Sequence, residues 1–248
     1  MIKLERIHTP IKLNPDFVTE KTTEFIANGA NVWNVEWLKS SLLDLSFKKC
    51  SYCECDLTEE SKYMEVEHFE DKDTNKTKVL VWDNLLPSCK RCNGHKSTHN
   101  VITEPIVNPF IDEPANHFFL KLYRLKPREN DLKAETTVSV LDLNNSERVV
   151  KVRFQLGEAL QKTIDRAKEK LESFEENNSA IRRTKLVSTM AEILLECQRN
   201  KIYSATCATV LHTDYDYLQI RQKMIDLNIW NEELEQLHGS SLELILLE

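Results

Sequence analysis

Two pairs of cysteines, each with two residues between its members, constrain the fold of this chain more than any other feature. Cys50 and Cys53 form the first pair, and Cys89 and Cys92 form the second. Four thiolates at this spacing can join two loops to one tetrahedral zinc ion. Because four cysteines leave no open coordination position, we expect this zinc to be structural. Cys55 offers a competing ligand, and we interpret it as a spare thiol.

The composition is that of a folded protein with a substantial core. Of its 248 residues, 41% are hydrophobic and 29% are charged, and only 4 are glycine, which favours a mainly helical fold. The N-terminal residues lack the apolar core of a secretory signal, and no apolar run is long enough to span a membrane. We therefore expect a cytoplasmic protein without a membrane contact, in which paired cysteines indicate metal ligands and not disulfides.

The charge pattern argues against a protein surface that binds polyanions over its whole extent. Acidic residues outnumber Lys and Arg by 40 to 33, for a formal net charge of −7. Positive charge is local, because no Asp or Glu occurs from Asn84 to Thr103, where Lys90, Arg91 and Lys96 lie. This distribution favours one small basic face.

The pattern of apolar and breaker residues divides the chain into three parts. Residues 1–48 are expected to form an N-terminal helical segment, residues 49–112 the cysteine module, and residues 113–248 a mostly helical C-terminal region. The predicted elements are helices starting at Asn14-Pro15 and at Asn34, strands at 64–69 and 78–82 that form a hairpin, a strand at 136–144, helices at 155–176, 181–198 and 216–227, and a packed terminal helix at 242–248.

Four polar residues lie between and just after the cysteine pairs. Glu67 and His68 are adjacent in the first predicted strand, Asn84 follows the second, and Asn93 comes directly after the last cysteine. A Glu-His pair alone is consistent with a solvated glutamate beside a packed histidine. The His-Asn-Asn order between two cysteine pairs, however, resembles the HNH endonuclease family, and the match covers residues 50 to about 97.

This resemblance implies a small ββα-metal fold, in many members held by a four-cysteine zinc, and a role for each residue. His68 would be the general base that activates water, and Asn84 would be structural, orienting His68 through the loop backbone. Glu67 and Asn93 would hold one catalytic divalent cation, Mg²⁺ or another.

Several neighbouring residues remain alternatives or additions. Arg91 and Lys96 could steady a phosphate, with a solvated basic face as the equally weighted interpretation. His95 and His99 are at most supporting residues, because the position at which some HNH members carry a further histidine is Ser97 here. Three nearby acids could replace Glu67 as the cation ligand: Glu70, Asp71 and Asp83.

The sequence around these motifs narrows the family. EVEHF, WDNLLPSCKRCNGHKS and IVNPFIDEP are similar to the HNH subunit of Septu-type antiphage defence systems, which also occurs beside certain retrons. The resemblance implies an ABC/SMC-type ATPase partner, docked on residues 155–248, and a nucleic-acid substrate, with DNA ranked ahead of RNA. Such a partner would supply nucleic-acid binding that an acidic chain lacks. The alternatives are an RNA (tRNA) nuclease of a retron-type system, a non-catalytic zinc-knuckle nucleic-acid-binding subunit, and a purely structural subunit of an ATPase complex.

Overall fold

The computed structural model describes residues 1–58 and 63–248, and this part of the chain is mainly helical with two small antiparallel sheets. It divides into two compact units. Unit 1 comprises Met1–Phe118 and Leu125–Asn144, and unit 2 comprises Phe119–Arg124 and Asn145–Glu248. The three-part division expected from the sequence stays a prediction.

Unit 1 contains the cysteine pairs. Its helices are α1 (Pro15–Asn28), α2 (Glu36–Leu45), α3 (Lys90–Lys96), α4 (Pro114–His117) and α5 (Leu132–Val140), and its first sheet pairs β1 (Met64–His68) with β2 (Leu85–Cys89). The second sheet pairs β3 (Phe118–Lys121) with β4 (Arg124–Pro127), and the boundary between the units falls in this hairpin.

Helix α1 begins and ends at the residues that the sequence indicates. The Asn14 side chain accepts a hydrogen bond from the Phe17 amide, Pro15 occupies the first turn, and Gly29 closes the helix with φ 74°, a conformation that glycine adopts at little cost. The predicted cap of α2 is wrong by one residue. Val35 occupies that position without a side-chain hydrogen bond.

The hairpin that carries the predicted site differs in its second strand. The strand predicted at 64–69 is confirmed by β1, whereas the one predicted at 78–82 is wrong. Lys78 ends one short 3-10 turn and Trp82 begins another, and β2 starts three residues after Trp82. Val79 and Leu80 are buried in the core of unit 1. A short buried apolar segment has the same amino-acid composition as a buried strand, so the sequence alone does not distinguish the two.

One hydrophobic core lies beneath this hairpin. Helices α1 and α2 contribute one side of the core, and β1, β2 and the segment between them contribute the other. Its buried members are Leu13, Phe25, Val32, Leu38, Leu42, Leu45, Val66, Val79, Leu80, Trp82 and Leu85. The N-terminal helices therefore hold β1 and the residues after it in a fixed position.

The strand predicted at 136–144 is also wrong, because these residues belong largely to α5. The Asp131 side chain caps this helix by accepting a hydrogen bond from the Ala134 amide. Thr137 Oγ1 donates to the Lys133 carbonyl and accepts from the Val107 amide. A good cap and a satisfied threonine outweigh the alternating apolar pattern.

Unit 2 is built around one long helix. A π-helical turn at Ser146–Val150 leads into α6 (Lys151–Glu176), which packs against α7 (Ala180–Glu196), α8 (Ser204–Thr213) and α9 (Tyr215–Asp226), and α10 (Glu232–Leu242) follows. The helices predicted at 155–176, 181–198 and 216–227 are confirmed with small shifts of their ends. None of the described helices combines the length and the apolar character needed to cross a membrane.

The end of the chain is packed, as predicted, but not as a helix. Leu244 and Leu246 are buried beyond the end of α10. The Leu246 amide donates to Thr209 Oγ1, and its carbonyl accepts from the Leu120 amide. These hydrogen bonds replace those of the predicted helix.

Candidate functional site

The four paired cysteines converge on one point, as their spacing predicts. The sulfur atoms of Cys50, Cys53, Cys89 and Cys92 all lie within 4.8 Å of one another, and all four residues are buried. Four sulfur ligands about 2.3 Å from a tetrahedral zinc lie about 3.8 Å apart, and the Sγ atoms of Cys53 and Cys89 are 3.8 Å apart. The donor set therefore suits a metal such as zinc.

Cys55 is not part of this group. It is buried close by, but among the described residues the metal-competent set contains the four paired cysteines alone. Arg91 donates a hydrogen bond to Cys92 Sγ at 3.3 Å, which places a positive charge beside the ligand sulfurs. Such a contact stabilises thiolate character.

An open cleft of about 940 Å³ lies in unit 1, and Lys90 and Asn93, which follow Cys89 and Cys92 in the sequence, line it. Its other walls come from β1, from the residues just before α2 and Lys39 within it, and from the segments at 57–58, 71–73 and 97–98. Glu67, His68 and Asn93 all line it. Three of the four predicted catalytic side chains therefore share one cavity.

His68 sits at the end of β1 with its ring held on two sides. Its Nε2 atom is 3.0 Å from the Val79 carbonyl oxygen, and because a carbonyl only accepts, Nε2 carries the proton. The Trp33 ring meets the imidazole edge to face at 4.9 Å. Burial lowers the pKa of His68 to about 4. The ring is thus neutral near pH 7, with Nδ1 as its basic atom.

Asn84 does not line the cleft and instead braces the loop behind His68. Its Oδ1 accepts from the Glu70 amide at 2.7 Å, and its Nδ2 donates to the carbonyls of Glu70 and Lys78. Its own carbonyl accepts from the Phe69 amide. These bonds fix the residues after His68 against the segment that carries the Val79 carbonyl, and the structural role of Asn84 in orienting His68 stays a prediction.

Glu67 is the most deeply buried acid of the site. It is 1% exposed, and its Oε1 lies 2.6 Å from the Lys96 ammonium. Burial raises the pKa of Glu67 to about 7, although the attraction of Lys96 opposes the shift. Its partner in the sheet is Leu86, so the neighbouring strand offers the carboxylate no polar side chain at that position.

Asn93 is oriented by a residue that the sequence analysis missed. Its Nδ2 donates to Glu65 Oε2 at 2.6 Å, so Oδ1 is the atom of this side chain that could bind a cation. Glu65 precedes Glu67 by two residues and therefore shares its face of β1. That spacing is the signal that could have identified Glu65.

Comparison with known proteins supplies a family. No family model matches the chain. A Septu protein PtuB of Bacillus thuringiensis is 44% identical over 250 residues, which cover 100% of this chain and 96% of the relative. This chain belongs to the Septu PtuB family. A second Septu protein PtuB, from Bacillus mycoides (strain KBAB4), is 25% identical over 190 residues, which cover 59% of this chain and 64% of that protein.

In this PtuB-family chain, the two predicted phosphate-binding residues are engaged in contacts within the protein. The Lys96 side chain is 1% exposed and contacts Glu67 and the His68 carbonyl. Arg91 donates to the carbonyls of Leu141 and Asp142. Neither is among the described residues that line the cleft, and a phosphate contact for either stays an unsupported prediction.

The residues predicted as alternatives or additions to the site also differ in whether they line the cleft. His95 lies 3.6 Å from Asp142, and His99 contacts the Glu104 carbonyl, so both are directed away from the cleft lining. Of the three acids that could replace Glu67, Glu70 pairs with Lys78 and Asp83 with Arg6. Only Asp71 lines the cleft, where its carboxylate accepts from Thr74.

Proposed function

We propose that this PtuB-family protein is a metal-dependent HNH endonuclease that hydrolyses phosphodiester bonds in nucleic acid as an effector of antiphage defence. The observation that carries this proposal is the convergence of Glu67, His68 and Asn93 on one cleft, beside a four-cysteine group. A general base next to carboxylate and amide oxygens is the equipment that water attack on a phosphate requires. The family name of the relatives supports the defence context.

His68 would accept the proton of the attacking water. Its hydrogen bond to the Val79 carbonyl holds the proton on Nε2, so Nδ1 can receive another. The Trp33 ring and the loop braced by Asn84 keep the His68 ring from turning. A base fixed in this way loses little entropy in the transition state.

Glu67 and Asn93 would hold the divalent cation, Mg²⁺ or another. Their donor atoms are the carboxylate and amide oxygens that hard cations prefer. The Glu65 carboxylate accepts a hydrogen bond from Asn93 Nδ2 and thereby fixes the orientation of the Asn93 amide. A cation bound there would neutralise charge on the phosphate and stabilise the leaving oxygen. The four cysteines would hold a structural zinc that keeps Asn93, directly after Cys92, at its place on α3.

A substrate panel tests this proposal. Full-length protein with its ATPase partner is incubated with plasmid DNA, phage DNA and tRNA, with and without Mg²⁺. We expect Mg²⁺-dependent cleavage of at least one substrate. Binding of nucleic acid without cleavage of any of them would instead support the non-catalytic zinc-knuckle subunit.

The walls of the cleft favour a strand with an unpaired base. Trp33 and Tyr63 line the cleft together with Lys39, Lys72 and Lys90, and the Tyr63 side chain is exposed. Aromatic rings stack on unpaired bases while lysines contact the phosphates. This observation supports the alternative of an RNA substrate such as a tRNA loop alongside locally opened DNA.

Replacing Tyr63 with alanine should weaken binding of a single-stranded oligonucleotide by roughly 5- to 100-fold, the equivalent of ~1–3 kcal/mol for one stacked base. The measurement is fluorescence anisotropy without divalent cation, so that no cleavage occurs. Tyr63→Phe is the matched control, because it keeps the ring and should bind nearly as well as the wild type. Equal binding by the alanine variant would show that Tyr63 does not stack on a base.

The ATPase partner is proposed to dock on the helices of unit 2. Helix α9 exposes Tyr215, Leu218 and Ile225, whose spacing of three and seven residues places them on one face. Exposed apolar side chains aligned on a helix are typical of an interaction surface. A partner bound there could supply the positive charge that this acidic chain lacks.

Replacing both Tyr215 and Leu218 with glutamate should abolish co-purification with the co-expressed ATPase, because two charges would be buried in an apolar contact. Ile11→Glu is the control, since Ile11 is an exposed apolar residue of unit 1. Retention of the ATPase by the double variant, or its loss in the control, would contradict docking on α9.

A further inference from the structure

Lys96 is a buried cation behind the lining of the proposed active site. The side chains of Lys96 and Glu67 are 1% and 2% exposed, and the ammonium lies 2.6 Å from Glu67 Oε1. The same ammonium donates a hydrogen bond to the His68 carbonyl at 2.9 Å. Lys96 follows Asn93 by three residues, so α3 brings one cation and one amide to the same strand.

A lysine is rarely buried without a compensating partner, because removing its charge from water costs several kcal/mol. Here the compensation is one carboxylate and one backbone carbonyl. That carboxylate is also the one that would bind the divalent cation. The ammonium therefore supplies positive charge at the place where the cation would supply it.

We propose that Lys96 is a positioning residue that serves as the internal counter-ion of Glu67 and competes with the divalent cation for its carboxylate. The inference rests on the proposed function, because it requires Glu67 to be a cation ligand. By bonding the His68 carbonyl as well, Lys96 ties both residues of the Glu-His pair to α3. The protein thereby balances the charge of the Glu67 carboxylate without exposing it to water.

The geometry favours this role over contact with the substrate. Among the described residues that line the cleft, α3 and the turn after it contribute Lys90, Asn93, Ser97 and Thr98 but not Lys96. A phosphate in the cleft would meet those residues before it met the buried ammonium. Competition follows because like charges repel strongly in a site shielded from water.

The test measures Mn²⁺ binding by isothermal titration calorimetry to zinc-loaded, full-length protein at one pH and one ionic strength. Lys96→Met removes the charge and keeps the length of the side chain, Lys96→Gln also keeps a donor for the His68 carbonyl, and Lys96→Arg keeps the charge. We expect the Mn²⁺ dissociation constant to fall on the order of tenfold in the two neutral variants and to change little in Lys96→Arg. A double variant, Glu67→Gln with Lys96→Gln, should lose this gain.

A second readout is thermal unfolding with and without Mn²⁺. Mn²⁺ should raise the melting temperature of Lys96→Gln more than that of the wild type, because the unpaired carboxylate gains a partner. If Lys96 only supports the fold, the neutral variants will melt lower by the same amount in both conditions, with unchanged affinity. That result would overturn the inference, and Lys96→Gln decides alone if Lys96→Met does not fold.

The Glu67→Gln control distinguishes failure of the proposed cation site from failure of the proposed competition by Lys96. If Glu67→Gln binds Mn²⁺ as tightly as the wild type, Glu67 is not a cation ligand, and both the proposed site and the role of Lys96 are wrong. If Glu67→Gln loses Mn²⁺ but neutral Lys96 variants bind it no better than the wild type, the site stands and the competition is wrong.

Discussion

Replacing His68 with alanine should lower the rate of phosphodiester cleavage by about 10²- to 10⁴-fold, the contribution typical of a positioned general base. The substitution removes Nδ1, the only basic ring atom left once Nε2 is bonded to the Val79 carbonyl. The measurement is the initial rate of cleavage of the best substrate in the panel, at saturating Mg²⁺.

The matched control for His68 is His95→Ala. His95 is a half-exposed histidine of α3 that faces Asp142 and not the cleft, so its loss should change the rate less than threefold, as expected for a group outside the transition state. Because His68 is buried, the zinc content and the melting temperature of each variant are measured as well. Should His68→Ala be unstable, His68→Gln replaces it, since the amide can still donate to the Val79 carbonyl. Equal losses in the two histidine variants would exclude a specific role for His68.

Replacing Cys53 with serine should remove the zinc and unfold the cysteine module. Structural zinc contributes an apparent ~10–16 kcal/mol in small zinc domains at neutral pH, which is comparable to the ~5–15 kcal/mol stability of a whole protein. The loss of one of four ligands therefore removes most of what holds the turn after α2 to the start of α3. The measurement is zinc per chain by elemental analysis, with circular dichroism to follow unfolding.

Cys55→Ser is the matched control in the same turn. Cys55 is a buried thiol two residues from Cys53 but lies outside the four-sulfur group. We expect this variant to retain about one zinc per chain, as the wild type should. If Cys55→Ser lost the zinc and Cys53→Ser kept it, the ligand set would be wrong. Less than about one zinc in the wild type would contradict the scaffold itself.

The features of the site that depend on local spacing could be predicted from the sequence. The spacing of the two cysteine pairs predicts one four-cysteine metal site. Because Asn93 directly follows Cys92, the same spacing also places Asn93 next to that site. The cap at Asn14 and the separation of the helices predicted at 155–176 and 181–198 are also local features, and the structure confirms them. Such features depend on chemistry within a few residues of the chain.

The features that depend on burial could not be predicted. Lys96 follows Asn93 on a short helix, and a lysine in a basic stretch is exposed in most proteins, yet here it contacts Glu67 inside the wall of the cleft. Trp33 contacts the His68 ring although it lies 35 positions earlier in the chain. Helix and strand periodicity relate only residues that are close in sequence, so they do not predict this contact. The apolar residues at 78–82 resemble a strand in sequence because core packing and strand pairing select similar side chains.

The most direct test of the central claim is to titrate Mg²⁺ into chelator-treated but zinc-retaining protein, with the proposed ATPase partner, and to follow single-turnover cleavage by the wild type and by His68→Ala. We predict that cleavage by the wild type rises to saturation with Mg²⁺ and that His68→Ala stays near background at every concentration. Cleavage of none of the three substrates by the wild type, or equal cleavage by His68→Ala, would contradict the assignment of this cleft as a nuclease active site.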